Sequence, residues 1–350
     1  MKREKNLDYL RVIVTIMVIT IHVSAKFINE NIWSHNFNFV IGNLFESFSR
    51  VSVPIFVMLS GGLILTNVKN KNYKEFYIKT FKRIIIPVLM WSFIYFIYNL
   101  INGTLKGDEN VLINAATRWI SGMPFHHLWY VYMIIGMYII TPTTIIILEK
   151  LEGGSIVILA IFLLIIGFTA SLKLKLIWPF QFIQYIGYYI IGYQCKIYYK
   201  NNRCKPNVFM FIYGISSLGI FFITELIMIK GLLTNNKLYF YEYLSPFVMI
   251  GSISLYIGFL NIKNKKLNLS KLSNHTFNIY LIHAGVLELI NSLMSNGDIA
   301  NKIQAIPLIY IPSVVLIVFI ISLYISHIIE SMTKYRRTNK RVINPLKKAA

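Results

Sequence analysis

Ten apolar segments, each close to the length of a membrane-spanning helix, restrict what this chain can fold into. About 20 apolar residues are needed for a helix to cross the hydrocarbon core of a bilayer. A spanning segment must also satisfy its own backbone hydrogen bonds, and at these lengths only a helix does so. The sequence therefore predicts an all-α polytopic membrane protein with about ten transmembrane helices. The predicted spans are Leu7–Phe27, Phe39–Leu65, Arg83–Leu100, Leu128–Leu148, Ser155–Leu172, Trp178–Tyr199, Val208–Ile229, Tyr243–Ile262, Thr276–Ser295 and Ile303–Glu330.

The composition agrees with a membrane protein and argues against a soluble one. Of the 350 residues, 56% are hydrophobic and only 14% are charged, whereas roughly a quarter of the residues of a soluble domain are charged. The net charge of +21 would indicate nucleic-acid binding in a soluble protein. Here the basic residues lie in short loops between apolar segments, so we expect the lipid bilayer as a partner and no nucleic acid.

The distribution of lysine and arginine predicts the orientation. With ten spans, 25 of these residues fall on one side and 8 on the other, while Arg11 and Arg50 lie within spans. Cytoplasmic loops carry the excess of positive charge, so both termini are predicted to be cytoplasmic. We predict a transmembrane domain over residues 1–334 and a basic cytoplasmic tail over residues 335–350. Cys195 and Cys204 fall in a basic cytoplasmic segment and are expected to be reduced.

The first segment also has some features of a secretory signal peptide. Basic residues precede the apolar stretch, and Val23, Ser24 and Ala25 resemble a small-residue cleavage site. Cleavage there would remove Arg11 from the mature protein. Because charged residues interrupt the apolar stretch and no soluble domain follows it, we expect the segment to remain as a transmembrane helix.

Arg11 and His22 are the most informative polar residues within a predicted span. Ionisable side chains in hydrocarbon are costly, so they are candidates for function. Eleven residues of helix place the two side chains within about 20° of each other around the axis and about 16 Å apart along it. Arg11 would lie near the cytoplasmic surface and His22 at or beyond the middle of the membrane. The spacing alone also fits a snorkelling arginine and a histidine bonded to a neighbouring helix.

Other polar residues have a structural explanation beside a functional one. Glu46 and Arg50 are four residues apart and are predicted to form an ion pair. Glu225 and Glu288 either line a polar cavity or lie at the interface. No role is assigned to three histidines at loops or helix ends: His35, His275 and His327.

The start of the fourth span carries His126, His127, Trp129 and Tyr130, and its aromatic residues also fit an interfacial belt. Signatures of several other chemistries are missing from the sequence: a phosphate-binding P-loop, an HExxH zinc helix, a cysteine cluster and the H-x-E spacing of a deaminase. No metal ion is therefore expected.

Five motifs, in order along the chain, resemble those of the acyltransferase family 3 membrane proteins, which acylate cell-surface glycans and related molecules. The first is a basic residue, ten further residues and a histidine, and the second is the VPxFFxxSG pattern. A basic start of the third span, an HLWY motif and an S-x-x-IYLxH stretch follow. The matching residues are Arg11 with His22, Arg50–Gly61, Lys79–Arg83 with Pro87 beyond, His127–Tyr130 and Ser273–His283.

The chain departs from the family pattern in two respects. The paired-arginine position reads Lys82-Arg83 with Lys79 upstream, in place of two arginines three residues apart. The chain also has no C-terminal extracytoplasmic hydrolase-like domain. It therefore resembles the stand-alone branch of the family, which includes exopolysaccharide O-acyltransferases, and we expect it in a bacterial cytoplasmic membrane.

The resemblance implies transfer of an acyl group from cytoplasmic acyl-CoA to a hydroxyl of an extracytoplasmic glycan or cell-envelope acceptor. Acetyl is the default acyl group, and succinyl stays open. Acyl-CoA would be a donor substrate with no permanently bound cofactor, and polysaccharide-synthesis machinery is a further expected partner. At the cytoplasmic mouth, Lys79, Lys82, Arg83 and Arg11 would hold the phosphates of coenzyme A.

By its helical spacing, His22 lies deeper on the same helix face as Arg11. His22 would act as the general base or as a transient acyl carrier, and His283 would orient it or contact the thioester. The acceptor side would comprise Glu46, Arg50, His127 and Trp129. The alternative function is a transporter of a polysaccharide or lipid-linked glycan, in which the polar groups line a path. A scaffold is a third option and explains none of the buried ionisable groups.

Overall fold

The structure, a computed structural model, consists of helices and short connections. It describes residues 4–174, 176, 178–232, 238–262, 268–294 and 306–346, without the side chains of 178, 179, 200, 201 and 333–346. No strand occurs in these ranges, which confirms the all-α prediction. The helices are α1 Lys5–Asn31, α2 Phe37–Ser49, α3 Ser52–Ile64, α4 Tyr73–Thr80, α5 Ile86–Leu105, α6 Val111–Ile120, α7 Trp129–Leu148, α8 Gly153–Lys173, α9 Trp178–Asn201, α10 Pro206–Ile229, α11 Pro246–Asn261, α12 Ser270–Met294 and α13 Pro307–Leu346.

Nine helical stretches within the described chain are long and apolar enough to cross a membrane. They correspond to nine of the ten predicted spans. The remaining one coincides with α9, whose 24 residues are long enough to span. Tyrosine and glutamine replace aliphatic residues along α9, and many of these side chains are buried. A buried helix does not need a lipid-facing surface, and this explains its lower hydropathy.

The second predicted span is divided into α2 and α3 by a break at Arg50 and Val51. Pro54 accounts for the position of the break. A proline has no N–H to donate to the carbonyl four residues before it, and its ring clashes with that carbonyl. Here that carbonyl belongs to Arg50. The helix therefore bends at Arg50, a charged residue.

The third predicted span begins earlier than its apolar residues suggest. α4 continues through a π-helical turn, Phe81–Ile85, directly into α5. Lys82 and Arg83 lie in this turn, and both are exposed. π-Helical turns occur frequently at functional sites. The structure thus places part of the predicted coenzyme A-binding segment in a locally widened helix.

Two central helices organise the packing. α1 contacts α2, α3, α12 and α13, while α9 contacts α3, α7 and α8. The backbones of α3 and α9 approach so closely that only glycine fits at the crossing. A Cβ atom at Gly61 would overlap the carbonyl of Tyr189, and one at Gly192 would overlap the backbone of Met58. Gly61 belongs to the motif at the end of the second predicted span, so that motif has a packing role.

The C-terminal part of the chain contains one continuous helix. α13 crosses residue 334 without interruption, so no structural break marks the predicted start of a basic tail, and that boundary stays a prediction. The predicted end of the ninth span at Ser295 and start of the tenth at Ile303 lie outside the described residues.

Candidate functional site

Four histidines from three parts of the chain form one cluster, here called the histidine cluster. His22 comes from α1, His283 from α12, and His126 and His127 from the segment before α7. The ring of His22 lies 5.3 Å from that of His283 and 4.9 Å from that of His126, centroid to centroid. The rings of His127 and His283 are 4.9 Å apart. The structure therefore brings together three histidines singled out from the sequence and adds His126.

The backbone around His127 and His283 is fixed by two tyrosines. The hydroxyl of Tyr280 donates to the carbonyl oxygen of His127 and so joins α12 to the start of α7. On α5, the Tyr95 hydroxyl donates to the Leu281 carbonyl at 2.8 Å and accepts from the Gly285 N–H at 3.2 Å. These bonds hold α12 in register against its neighbours on both sides of His283.

The orientation of the His283 ring makes it suited to accept a proton. Its Nδ1 lies 2.6 Å from the carbonyl oxygen of Tyr280. A carbonyl only accepts, so Nδ1 carries the hydrogen and Nε2 has the free lone pair. Nε2 is buried and has no hydrogen-bond partner among the described residues. A buried polar atom without a partner is uncommon in a folded protein and indicates a position that a ligand can occupy.

His127 is neutral at physiological pH. Its ring is buried, and burial holds its pKa well below the ordinary value for histidine. The neighbouring imidazoles of His283, His126 and His22 lower this pKa further, because they disfavour another positive charge. The His127 imidazole therefore carries no fixed charge.

On the side where α1 begins, a cavity of about 320 Å³ borders Arg11; we call it the inner cavity. Arg11 lies 4.0 Å from the carboxylate of Asp8, which also accepts a 2.9 Å hydrogen bond from Ser270. Tyr280 lines the cavity, and its ring is 5.5 Å from that of His283. The inner cavity thus extends to Tyr280, which contacts the histidine cluster. Its other polar lining residues are Ser60, Tyr130, Tyr138, Ser273, Asn274 and Thr276.

On the opposite side, a smaller and more polar pocket of about 250 Å³ borders the predicted pair Glu46 and Arg50. We call it the outer pocket. The two residues form an ion pair, and the Ser24 hydroxyl donates to Glu46 at 2.5 Å. The Arg50 guanidinium carbon lies 4.7 Å from the centroid of the Tyr241 ring. Arg50 is also close enough to His22 to interact with it electrostatically.

Trp129 is connected to the outer pocket through a second tyrosine. Its ring stacks on that of Tyr243 at 5.7 Å, and the guanidinium of Arg50 lies 5.4 Å from the same Tyr243 ring. A planar cation between aromatic faces gains cation–π attraction as well as its ion pair. The sequence predicts Arg50 and Trp129 but not Tyr241, which contacts Arg50, or Tyr243, which joins Arg50 to Trp129. The dense run of tyrosines before α11 was the available signal.

Of the four predicted coenzyme A-binding residues, Arg11 lines the inner cavity, whereas Lys79, Lys82 and Arg83 do not. Lys79, Lys82 and Arg83 are exposed. Lys82 borders an apolar groove of about 650 Å³ between the π-helical turn and α7. Tyr138 lines both this groove and the inner cavity, and Ile84 of the π-helical turn also lines the cavity. The groove that Lys82 borders is therefore adjacent to the inner cavity and shares Tyr138 with it.

Other polar residues considered in the sequence lie apart from the cluster or at its edge. Glu225 is 2.7 Å from His35 and 2.5 Å from the Asn43 amide. These contacts give Glu225 and His35 a structural role. Glu288 is exposed and accepts a 3.3 Å hydrogen bond from Tyr98. His126 was not assigned a role from sequence, although its position beside His127 was a usable signal.

The geometry defines a helical multi-pass membrane protein whose polar centre lies between an inner cavity and an outer pocket. The chain belongs to the acyltransferase 3 family: the family model, described as an acyltransferase domain, matches residues 4–327. This match confirms the resemblance found in the motifs and implies membrane acyltransferase activity. Neither the curated proteins nor the solved structures gave a significant match.

Proposed function

We propose that the protein transfers an acyl group from cytoplasmic acyl-CoA to a hydroxyl of an extracytoplasmic glycan or other cell-envelope acceptor, in a bacterial cytoplasmic membrane. The observation that carries the proposal is the histidine cluster, placed between an inner cavity bordered by Arg11 and an outer pocket bordered by Arg50. A cluster that lies between two cavities suits a reaction whose two substrates come from opposite compartments. Acetyl is the expected acyl group, with succinyl as the other candidate.

Donor binding is proposed for the inner side. The phosphates of coenzyme A would meet the exposed cations Lys79, Lys82 and Arg83, whose charge-assisted hydrogen bonds favour phosphate. Arg11 would attract the part of the donor that enters the cavity. The flexible pantetheine arm would then carry the thioester past Tyr280 towards the cluster, over the roughly 16 Å of α1 that separates Arg11 from His22.

The reaction at the cluster has two routes. In the direct route, the acceptor O–H gives its proton to an imidazole nitrogen of His22 or His283, and the oxygen attacks the thioester carbonyl carbon. The C–S bond breaks, and the coenzyme A thiolate takes the proton from the imidazolium. In the two-step route, a nitrogen of His22 attacks the carbonyl first, the C–S bond breaks, and the coenzyme A thiolate takes the proton of the imidazole ring. The acceptor hydroxyl then attacks the acyl-histidine, the C–N bond breaks, and the hydroxyl proton returns to the imidazole. Both routes yield an ester and coenzyme A thiol.

Acceptor binding is proposed for the outer pocket. Arg50 would donate hydrogen bonds to the acceptor and Glu46 would accept them, and the aromatic face of Tyr241 suits the apolar face of a sugar ring. Trp129 would support this side of the site through its stacking on Tyr243. The electrostatic interaction between Arg50 and His22 connects this pocket to the cluster. A positive charge beside the reacting carbonyl would also stabilise the oxyanion that develops there.

The test compares wild type with His22→Ala in liposomes, with radiolabelled acetyl-CoA or succinyl-CoA outside and crude cell-surface glycan present. General acid–base catalysis contributes about 10²- to 10⁴-fold, so we expect His22→Ala to lose at least about 100-fold in label transfer. His35→Ala is the matched control, because His35 contacts Glu225 away from the cluster. Normal transfer by His22→Ala would refute the role of His22.

The same assay distinguishes the direct route from the two-step route, and acyl transfer from transport. Label recovered on the protein after rapid denaturation at neutral pH, and absent from His22→Ala, would support the acyl-histidine route. If wild type consumes neither donor, the acyltransferase proposal fails. Glycan flux across the vesicle would then test the transporter alternative.

A further inference from the structure

A second group of metal-ligating side chains lies away from the histidine cluster, where α12 begins near the cytoplasmic side. It contains His275 of α12 and His327 and Glu330 of α13. Their ligand atoms all lie within 4.8 Å of one another, and among the described residues no other set of three or more such side chains meets that criterion. We infer that these three residues form a binding site for a divalent transition-metal ion of the zinc class.

The ligand types favour this class of ion. Imidazole nitrogen suits zinc, copper, iron and nickel, whereas calcium and magnesium prefer oxygen ligands. Two histidines and one glutamate also form a known ligand set for zinc, with a fourth position left for water. Because two of the three ligands here are histidines, magnesium and calcium are not the expected ions.

The spacing is close to what a bound ion requires. Zinc–nitrogen and zinc–oxygen bonds of about 2.0–2.2 Å place neighbouring ligand atoms of a tetrahedral site about 3.4 Å apart. The Nε2 atom of His275 already lies 3.3 Å from a carboxylate oxygen of Glu330. The ring of His327 is 4.0 Å from that of His275, centroid to centroid, and it is exposed. Small side-chain rotations of His327 would complete the site.

The local structure orients the ligands. His327 and Glu330 are three residues apart on one helix and therefore share a face, and α12 packs against α13. His275 is buried, and its Nδ1 lies 2.8 Å from the Ser326 hydroxyl. That hydroxyl also accepts a 3.1 Å hydrogen bond from Asn278. A partner on the second ring nitrogen is typical of metal-bound histidine, because it fixes the ring and its tautomer.

Ser326 is compatible with both the empty and the filled site. A hydroxyl both donates and accepts. Without metal, Ser326 can donate to Nδ1 while Nε2–H faces Glu330. With metal, Nδ1–H donates to Ser326, and the Nε2 lone pair points to the ion. No rearrangement of the helices is needed between these two states.

The position of the site indicates what the ion would do. A metal ion held by His275 and His327 would fasten α12 to α13. The neighbours of His275 on α12, Ser273, Asn274 and Thr276, line the inner cavity. His283 follows eight residues later, about 12 Å along the helix. The ion would therefore hold one wall of the inner cavity and the helix that carries His283.

The test measures metal binding and does not depend on acyl transfer. Full-length protein, purified in detergent with an affinity tag free of histidine and stripped with chelator, is titrated with Zn²⁺ by calorimetry and with Co²⁺ by absorption. We expect one ion per chain with micromolar or tighter affinity, and a melting temperature that rises with Zn²⁺. His327→Ala is the main variant because the side chain is exposed and its removal should leave the fold intact. It should weaken binding at least 100-fold and abolish the thermal shift.

Four further variants make the result specific. Glu330→Gln should weaken binding strongly, and Ser326→Ala should weaken it about 10-fold, as expected when a hydrogen-bond partner of a metal ligand is lost. His35→Ala, which removes a histidine paired with a carboxylate elsewhere, should bind like wild type. Equal binding by wild type and His327→Ala overturns the proposal, and so does the absence of binding at millimolar Zn²⁺. Loss of binding in His126→Ala alone would place the ion in the histidine cluster and overturn it as well.

Discussion

At the scale of single residues, Arg50 shows how the chain places a full charge inside the membrane body. Glu46 neutralises it, and the Tyr241 and Tyr243 rings cover the guanidinium. Glu46 itself is completely buried. Removing one partner of a buried ion pair typically costs about 3–5 kcal/mol, because the other charge is left uncompensated. A conservative replacement of Arg50 is therefore more informative than its deletion.

We predict that Arg50→Lys weakens acceptor binding and leaves donor binding unchanged. Lysine keeps the positive charge beside Glu46 but loses the planar surface that contacts the two tyrosine rings. Cation–π contacts contribute about 0.5–2 kcal/mol, so the KM for the acceptor should rise about 2- to 30-fold. Initial rates with the acceptor varied at saturating acyl-CoA, and the reverse, give both constants. A higher KM for acyl-CoA with an unchanged one for the acceptor would contradict the placement of Arg50.

The lowered pKa of His127 predicts how stability depends on pH. The unfolded chain binds a proton at this residue near pH 6.5, whereas the folded protein does so only at lower pH. Below about pH 6.5 the unfolded state therefore holds more protons, and the free energy of unfolding falls by up to about 1.4 kcal/mol per pH unit. His127→Gln removes this contribution.

Melting temperatures of wild type and His127→Gln in detergent at pH 7.5 and 5.5 measure the effect. The decrease on acidification should be smaller in the variant. An equal decrease in both proteins would show that His127 is not held neutral by its surroundings.

At the scale of elements, the sequence predicted what depends on local composition and missed what depends on packing. Arg11 borders a cavity lined by α7 and α12, and His22 contacts His283 of α12 and His126 just before α7, as expected for two residues on one helix face. Pro54 was visible in the sequence, yet the break it causes was not foreseen, because apolar residues continue on both sides. The metal-ligating set was also missed: His275 and His327 are 52 residues apart, and only the packing of two helices brings them together.

The crossing of α3 and α9 gives a prediction about packing. Gly61→Ala should destabilise the protein by about 1–3 kcal/mol or more, because the added Cβ meets the backbone carbonyl of Tyr189, which cannot move alone. Gly214→Ala in α10 is the matched control, since its Cβ would have open space around it. Alanine is also the better helix former, so the control should be as stable as wild type or more so.

Thermal unfolding in detergent compares the two variants with wild type. A decrease in melting temperature for Gly61→Ala but not for Gly214→Ala confirms the close approach. Equal stability of the two variants would mean that α3 and α9 are separated by more than the structure shows.

At the scale of the whole molecule, the direction of the proposed transfer depends on the orientation of the helices. The charge count requires an even number of spans, and α9 is the helix that decides the count because it is the least apolar. If α9 crosses the membrane, the connection between α9 and α10 lies in the cytoplasm. That connection contains Cys204, whose thiol is exposed, while Cys195 is buried.

These two natural cysteines allow the orientation to be tested without changing the fold. A membrane-impermeant maleimide should leave Cys204 unlabelled in intact cells and label it once the membrane is opened. Cys204→Ser should remove the label, because burial shields Cys195. The matched control adds Glu109→Cys to Cys204→Ser; Glu109 is exposed in the connection between α5 and α6 and should be labelled in intact cells. Labelling of Cys204 from outside would invert the orientation, place Arg11 on the outer side and exclude acyl-CoA as a donor at the inner cavity.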